Sequence, residues 1–247
     1  MKILKDIETP IHAQLESFIL EEIRQGKLKP GDRVYSEPEL ARKLDIGRTT
    51  VRIVFDRLVS RNVLVRRAGK GTFVSLPIPA GNGDLLIGLS IGLEKMDIHP
   101  RTVIVRRGIE PASSKARERL CLGPDEEVIV LQRVRSINDI PFVIHTAFLP
   151  RERFESVLRA DLESVGLTDY IRNVLKVPIS HAEESISAAS ASAEQAKWLK
   201  VKPGFPLLVV EGVTYDLTKR PIRLSISRYH SELVHIRTTP SRRGAEG

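Results

Sequence analysis

Residues 36–74 read SEPELARKLDIGRTTVRIVFDRLVSRNVLVRRAGKGTFV, and the apolar spacing changes from helical to strand-like inside this one segment. Ser36 with Glu39 spells a capping box: the hydroxyl accepts from an orphan backbone N–H and the carboxylate reaches back to the cap. Pro38 falls in the first turn, where a missing N–H costs little. Leu40, Ala41 and Leu44 make one apolar stripe. Asp45-Ile46-Gly47 interrupts it, and Gly47 suits a tight turn or a weak N-cap. Val51, Val54, Phe55, Leu58 and Val59 resume helical spacing and must face a core. Beyond Asn62, residues 63–74 form two β-rich segments around a glycine turn. The order is helix, short turn, helix, hairpin.

The basic residues fall where the core does not need them. Arg48 and Arg52 are four apart and project together from the start of the second helix, with Thr49 beside them. A planar guanidinium can grip a guanine edge bidentately, while Thr49 and Thr50 can donate to phosphate or touch a thymine methyl. The helix N-terminus favours a nearby phosphate. Arg66, Arg67 and Lys70 make the hairpin tip basic, and Gly69 and Gly71 let the backbone approach a partner closely. Either feature alone reads equally well as a solvated surface. Together, in this order, they have the footprint of a unit that reads a DNA groove.

Working outward, Thr9 can cap a helix over about 10–25, with Pro10 in its first turn and Ile11, Leu15, Phe18, Ile19 and Ile23 as core stripe. The chain has 247 residues, 41% of them hydrophobic, enough for two ordinary domains. It has no apolar run of membrane-spanning length and no apolar signal region, so a cytoplasmic, membrane-free protein is expected. The single cysteine, Cys121, fits a reducing compartment and is expected to be at least half-buried. Net charge is +8, and residues 1–76 carry 15 Lys/Arg against 10 Asp/Glu, so the shorter segment holds most of the excess. That favours a polyanion partner at this end.

Residues 76–84, LPIPAGNGD, mark a domain boundary. From about residue 101 onward, Val103–Val105, Val128–Leu131, Phe142–Ile144, Leu207–Val210 and Arg223–Ser227 read as strands. Ser113–Leu120, Leu167–Leu175 and Ala193–Leu199 read as helices. Asn138-Asp139 and Thr218-Lys219-Arg220 read as hairpin turns. The expected fold class is α+β, an antiparallel sheet with helices on one side. Arg133 and Arg135, two apart on a strand, point the same way. Either they capture a carboxylate or phosphate of a ligand, or they pair with Glu183, Glu184 or Glu211 or are solvated. His12, His99, His145, His181, His230 and His235 lack metal-ligand spacing, although His145 and His230 could meet. No nucleophile elbow, P-loop, dinucleotide fingerprint or defensible acid–base pair is present, so no catalytic residue, cofactor or metal is expected.

The N-terminal third resembles the winged helix-turn-helix of the GntR family of bacterial transcription regulators. The resemblance rests on Pro10 to Gln14, Gly26 to Arg33, Ser36-Glu37-x-Glu39-Leu40-Ala41, Arg48 to Arg52 and Gly69 to Phe73. It implies DNA contacts from Ser36, Arg48, Thr49, Thr50, Arg52, Arg67, Gly69 and Lys70. Relatives usually carry arginine where this chain has Pro38, so one DNA contact is missing. Relatives also favour serine or a similar cap at Gly47.

The remainder resembles the UTRA effector-binding domain of the HutC branch, with a chorismate-lyase-like fold. The motifs are Ala116-x-x-x-Leu120, Glu127 to Arg135, Ile140 to Phe142, Phe148 to Pro150, Glu184 to Ile186, Glu211-x-x-x-Tyr215 and the Pro221 to Tyr229 run. It implies a ligand site drawn from Arg133, Arg135, His145, Glu184, Glu211, Tyr215, Ser225 and Tyr229. Relatives often carry glutamate where this chain has His145 and arginine where it has His230, so an effector with different polar groups is implied.

The expected organisation is a DNA-binding domain at 1–76, a linker at 77–94, an effector-binding and dimerisation domain at 95–236 and a flexible tail at 237–247. The expected function is that of a homodimeric repressor which binds a double-stranded, pseudo-palindromic operator and responds to a small-molecule effector with an anionic group. The alternatives are a constitutive DNA-binding protein whose second domain only dimerises, or an enzyme of chorismate-lyase-like fold.

Overall fold

Ser36 opens its helix as the capping box requires. Its Oγ accepts from the Glu39 N–H at 3.3 Å, and the Glu39 carboxylate accepts from the Ser36 N–H at 2.8 Å and its hydroxyl at 2.7 Å. The computed structural model describes residues 9–61, 63–67, 69–79, 100–137 and 139–237. The expected linker from residue 80 on, His99, Asn138 and the tail from residue 238 lie outside the described residues.

The chain divides into two units. The first holds α1 (Ile11–Arg24), α2 (Glu37–Leu44), α3 (Arg48–Ser60) and the hairpin β1 (Leu64–Arg67) and β2 (Gly71–Val74). Asp45, in the left-handed region at φ 51°, closes α2, and Gly47 takes the N-cap of α3. The expected Thr9 cap does not form. Pro10 sits at the N-cap of α1 without a side-chain bond, and the Gln14 amide donates to the Thr9 carbonyl at 2.8 Å. Leu15, Ile19, Leu40, Val51, Val54, Phe55, Leu58 and Leu64 form the core. Fully burying each such side chain contributes about 1.5–3 kcal/mol, so packing rather than helix propensity fixes these short helices. β1 and β2 pair antiparallel from Leu64–Val74 to Arg67–Gly71, and Arg33 bridges to Phe73. This is a winged helix-turn-helix.

A second short pairing joins β3 (Leu76–Pro79) to a strand at the far end of the described chain, Val234–Arg237. The second unit is built on six antiparallel strands: β4 (Arg101–Pro111), β5 (Glu127–Ile137), β6 (Ile140–Pro150), β7 (Ile179–Ser190), β8 (Pro206–Asp216) and β9 (Pro221–His230). Their order is β4-β5-β6-β9-β8-β7.

Helices cover both faces of this sheet, not one. On one face Ile129, Leu131, Ala147 and Leu149 pack against Phe154, Val157, Leu162, Leu167 and Ile171 of a covering segment, residues 151–174. That segment contains α5 (Arg151–Phe154), a 3-10 turn and α6 (Leu167–Asp169), which runs on into a π turn at Tyr170–Val174. On the other face Val128, Val130 and Leu224 pack against Ala116 and Leu120 of α4 (Ser114–Leu120). Ile144 and Leu207 on that face pack against Ala196 and Leu199 of α7 (Ala193–Leu199). The physical reason lies in the strands: Val128–Leu131 and Phe142–Ile144 are unbroken buried runs, and a strand apolar on both sides needs cover on both sides.

Two further expectations change. Edge strand β7 escaped sequence reading because its alanine, serine and glutamate content is poor in β-formers. Cys121 is exposed, closing α4 at φ 55° in the left-handed region.

Asp216 fixes the β8–β9 turn. Buried at 3% exposure, it accepts from the Thr218 hydroxyl (2.6 Å) and N–H (2.9 Å), the Arg220 N–H (3.1 Å) and Arg153 Nη1 (2.7 Å). Burial alone would raise its pKa, but these bonds, led by the Thr218 hydroxyl and Arg153, hold it well below the usual carboxylate range. Asp216→Ala leaves these donors unanswered, and urea unfolding should show a loss of about 1–3 kcal/mol at neutral pH. Because the folded-state pKa is depressed, the contribution is present above the unfolded value of 3.8 and fades as pH falls below it. The gap between wild type and variant should therefore narrow under acid. Ser36→Ala should cost about 1 kcal/mol in the same assay through loss of the cap.

Candidate nucleic-acid interface and ligand site

In the first unit Arg48, Thr49 and Arg52 are exposed along the start of α3, with Thr50 half-buried behind them. Their opposite face is closed by Val51, Val54, Phe55 and Leu58, so the core stripe dictates which side chains face out. Ile53, 45% exposed, joins this edge one turn beyond Thr49 and was missed in the sequence reading. The signal was there: Ile53 is apolar but stands off the stripe. An open aliphatic side chain on this edge can pack against a thymine methyl.

The hairpin departs from expectation. Lys70 and Gly69 are exposed at the tip, and Gly69 adopts φ 70°. Arg67 is not a surface cation: it is 7% exposed, with its guanidinium 5.5 Å from the Phe73 ring centroid, and burial lowers its pKa. Strand alternation explains this, because Arg66 and Arg67 must point to opposite sides. Arg66 points out but is engaged, bonded to Glu37 at 2.8 Å and to Asp56 of α3. The wing is thereby clamped to both helices. Gly71 adopts φ 115°, a backbone conformation that favours glycine, and a Cβ there would also displace the Arg33 side chain, whose Nε would lie 2.9 Å away. The Ser36 hydroxyl is committed to the capping box.

In the second unit the register divides the eight candidate ligand residues. The rows Arg133–His145–Ser227, Arg135–Val143–Tyr229 and Ala147–Ser225–Gly212–Glu184 lie on the face under the covering segment. Arg133, Arg135, His145, Glu184, Ser225 and Tyr229 therefore share that face, with Glu184 on edge strand β7, four strands from β5. Glu211 and Tyr215 lie on the opposite face. Glu211 binds Lys115 of α4 at 2.5 Å, and Tyr215 stacks on His181 and donates to Glu183 at 3.2 Å. Alternation again decides, since Glu211 is the neighbour of Gly212 in β8. His230 is also on the other face, against Phe205, so it does not meet His145. Among the described residues no group of three or more His, Cys, Asp or Glu could hold a metal ion.

The assembled face is strongly cationic. Sequence reading missed two contributors: Arg107, which donates to the Leu158 and Ala160 carbonyls, and Arg223, which donates to the Thr168 and Thr214 hydroxyls. Arg223 could have been found by counting back in twos from Tyr229. Burial, with the fields of Arg135, Arg223 and Arg107, pulls the Arg133 pKa down to about 9. Burial and the same cluster keep His145 neutral, its pKa well below the ordinary range, with Nδ1 2.7 Å from the Ser227 hydroxyl. Among the described residues no carboxylate pairs with Arg133 or Arg135, so the internal pairing left open by the sequence is not formed. Such a face can take an anion.

Comparison with known proteins gives the family. Residues 12–74 match the model of bacterial regulatory proteins of the gntR family, and residues 95–235 match the UTRA domain. The HTH-type transcriptional regulator YurK of Bacillus subtilis is 27% identical over 92% of this chain and 93% of its own. The transcriptional repressor NagR of the same organism is 28% identical over 87% and 88%. The crystal structure of PhnF from Mycobacterium smegmatis shares the fold, with TM-score 0.66 at 20% identity, covering 91% of this chain and 99% of that one. No helix among the described residues is long and apolar enough to cross a membrane. The chain thus belongs to the GntR family of transcriptional regulators, in the HutC-type branch that joins a winged helix-turn-helix to a UTRA domain.

Proposed function

We propose that this regulator is a repressor that binds a pseudo-palindromic operator as a homodimer and is released or tightened on DNA by a small anionic effector. The observation that carries the reading is the exposed Arg48–Thr49–Arg52 edge of α3, with Lys70 at the wing tip. Two such edges related by a two-fold axis suit two half-sites about one helical turn apart. NagR, named as a repressor, supports the direction of control. On this reading residues 1–76 bind DNA, 95–236 take the effector and dimerise, and 77–94 link them.

The effector acts by binding one arrangement of the dimer better than the other, and a coupling of about 1–3 kcal/mol suffices. Arg133, Arg135, His145, Glu184, Ser225 and Tyr229 would line its site. Pro38, standing where the family resemblance implies an arginine, would shift reliance onto the α3 edge. Acting on chromosomal DNA, the protein works in the cytoplasm.

Selection of bound fragments from source genomic DNA, followed by gel mobility shift, tests this; absence of any preferred fragment would overturn it. Arg52→Ala should relax base preference and weaken operator binding by about 1–3 kcal/mol. Wild-type binding by that variant at matched salt would remove α3 from the reading role. Lys70→Ala should weaken all sequences alike and flatten the salt dependence by about one unit, read from affinity across a salt series.

A further inference from the structure

The wing is closed on both sides, and the helices account for only one of them. Leu64 and Val74, cross-strand partners, join the helical core, and Arg66 points the same way to Glu37 and Asp56. Val65, Arg67 and Phe73 point to the other side, where Val65 pairs with Phe73. They stand outside that core, yet they are only 7%, 7% and 6% exposed. A two-stranded hairpin is marginal by itself, so whatever seals this second face helps to hold the wing.

Residues 232–235 meet that need. They stand one residue beyond β9 of the second unit, yet they pack with the first. Leu233 and Val234 are 1% and 2% exposed. The strand Val234–Arg237 pairs with β3, which begins two residues after β2 of the wing ends. Glu232 is exposed, and its field acts on the Arg67 guanidinium, favouring the charge that burial opposes. Backbone pairing, apolar burial and charge all converge on the wing.

We propose that Glu232, Leu233 and Val234 complete the DNA-binding head by closing the outer face of the wing, with Glu232 acting through Arg67 as a positioning residue for the tip that carries Lys70. The head is then built from two stretches far apart in sequence and does not end at residue 76. The closure stands apart from the function proposed above, whereas its effect on DNA rests on that reading.

Hydrogen–deuterium exchange of the full chain, read on the wing (residues 64–74) with β5 as internal reference, tests the closure. Leu233→Ala should speed exchange in the wing at least about ten-fold and leave β5 unchanged. Glu232→Gln, at an exposed position that folding tolerates, should speed it about two- to five-fold. In an Arg67→Met background Glu232→Gln should change nothing further, because a residue acting through Arg67 loses its effect with it. Loosening of β5 instead of the wing, or a wing unmoved by both substitutions, overturns the proposal. An equal Glu232→Gln effect with and without Arg67 removes the positioning role.

For DNA, the fragment recovered by genomic selection serves as the probe in a salt series. Leu233→Ala should flatten its salt dependence by about one unit, and Lys70→Ala should add nothing to that variant. If Leu233→Ala does not fold, Glu232→Gln carries both measurements. A full slope with a loosened wing overturns the positioning of the tip. If the protein binds no fragment, the DNA reading fails and exchange alone decides the closure.

Discussion

Burial of the central strands on both sides is the constraint on which the second unit depends. β5 and β6 carry consecutive apolar residues, so neither face of the sheet can be left to water. One face takes α4 and α7 and the other takes the covering segment. That burial makes the few polar residues on the inner rows consequential. An arginine there cannot relax into solvent, and its charge remains a demand on whatever enters. The cationic face is thus a by-product of how the sheet is sealed, with Arg107 and Arg223 donating to carbonyl and hydroxyl oxygens of the cover.

The first unit solves a different problem. It is too small for much core, and what it has is a single cluster that includes Leu15, Leu40, Phe55 and Leu58. Its surface therefore consists of residues the core excluded, and α3 presents them in a fixed order. Rigidity comes from caps and ion pairs at the edges, chiefly the Ser36–Glu39 box and Arg66 with Glu37 and Asp56. Exposed pairs of this kind contribute little stability singly, but a bridged network restrains geometry.

Much of this was legible in the residues. The capping box, the α3 stripe and the α7 helix follow from spacing alone, and the structure places them as that spacing demands. What escaped was of two kinds. Facedness in strands slipped where polar residues were grouped by motif rather than by alternation, which is why Glu211 and Tyr215 part from Arg133, and Arg67 from Arg66. Two-layer cover is encoded only in the lack of alternation within runs such as Val128–Leu131, which marks a strand buried on both faces. β7, rich in alanine and serine, carried too little pattern to be seen. Long-range partners such as Thr168 for Arg223 leave no trace in local spacing.

The clamp formed by Arg66 has a consequence for how such a head can diversify. The wing is fastened to α2 and α3 through Glu37 and Asp56, and neither pair uses Arg48, Thr49, Arg52 or Ile53. The residues that hold the wing are thus distinct from those exposed along α3. On the proposed reading of α3, substitutions along this edge would change the operator without re-aiming the wing, so the same frame could be carried intact through many changes of target.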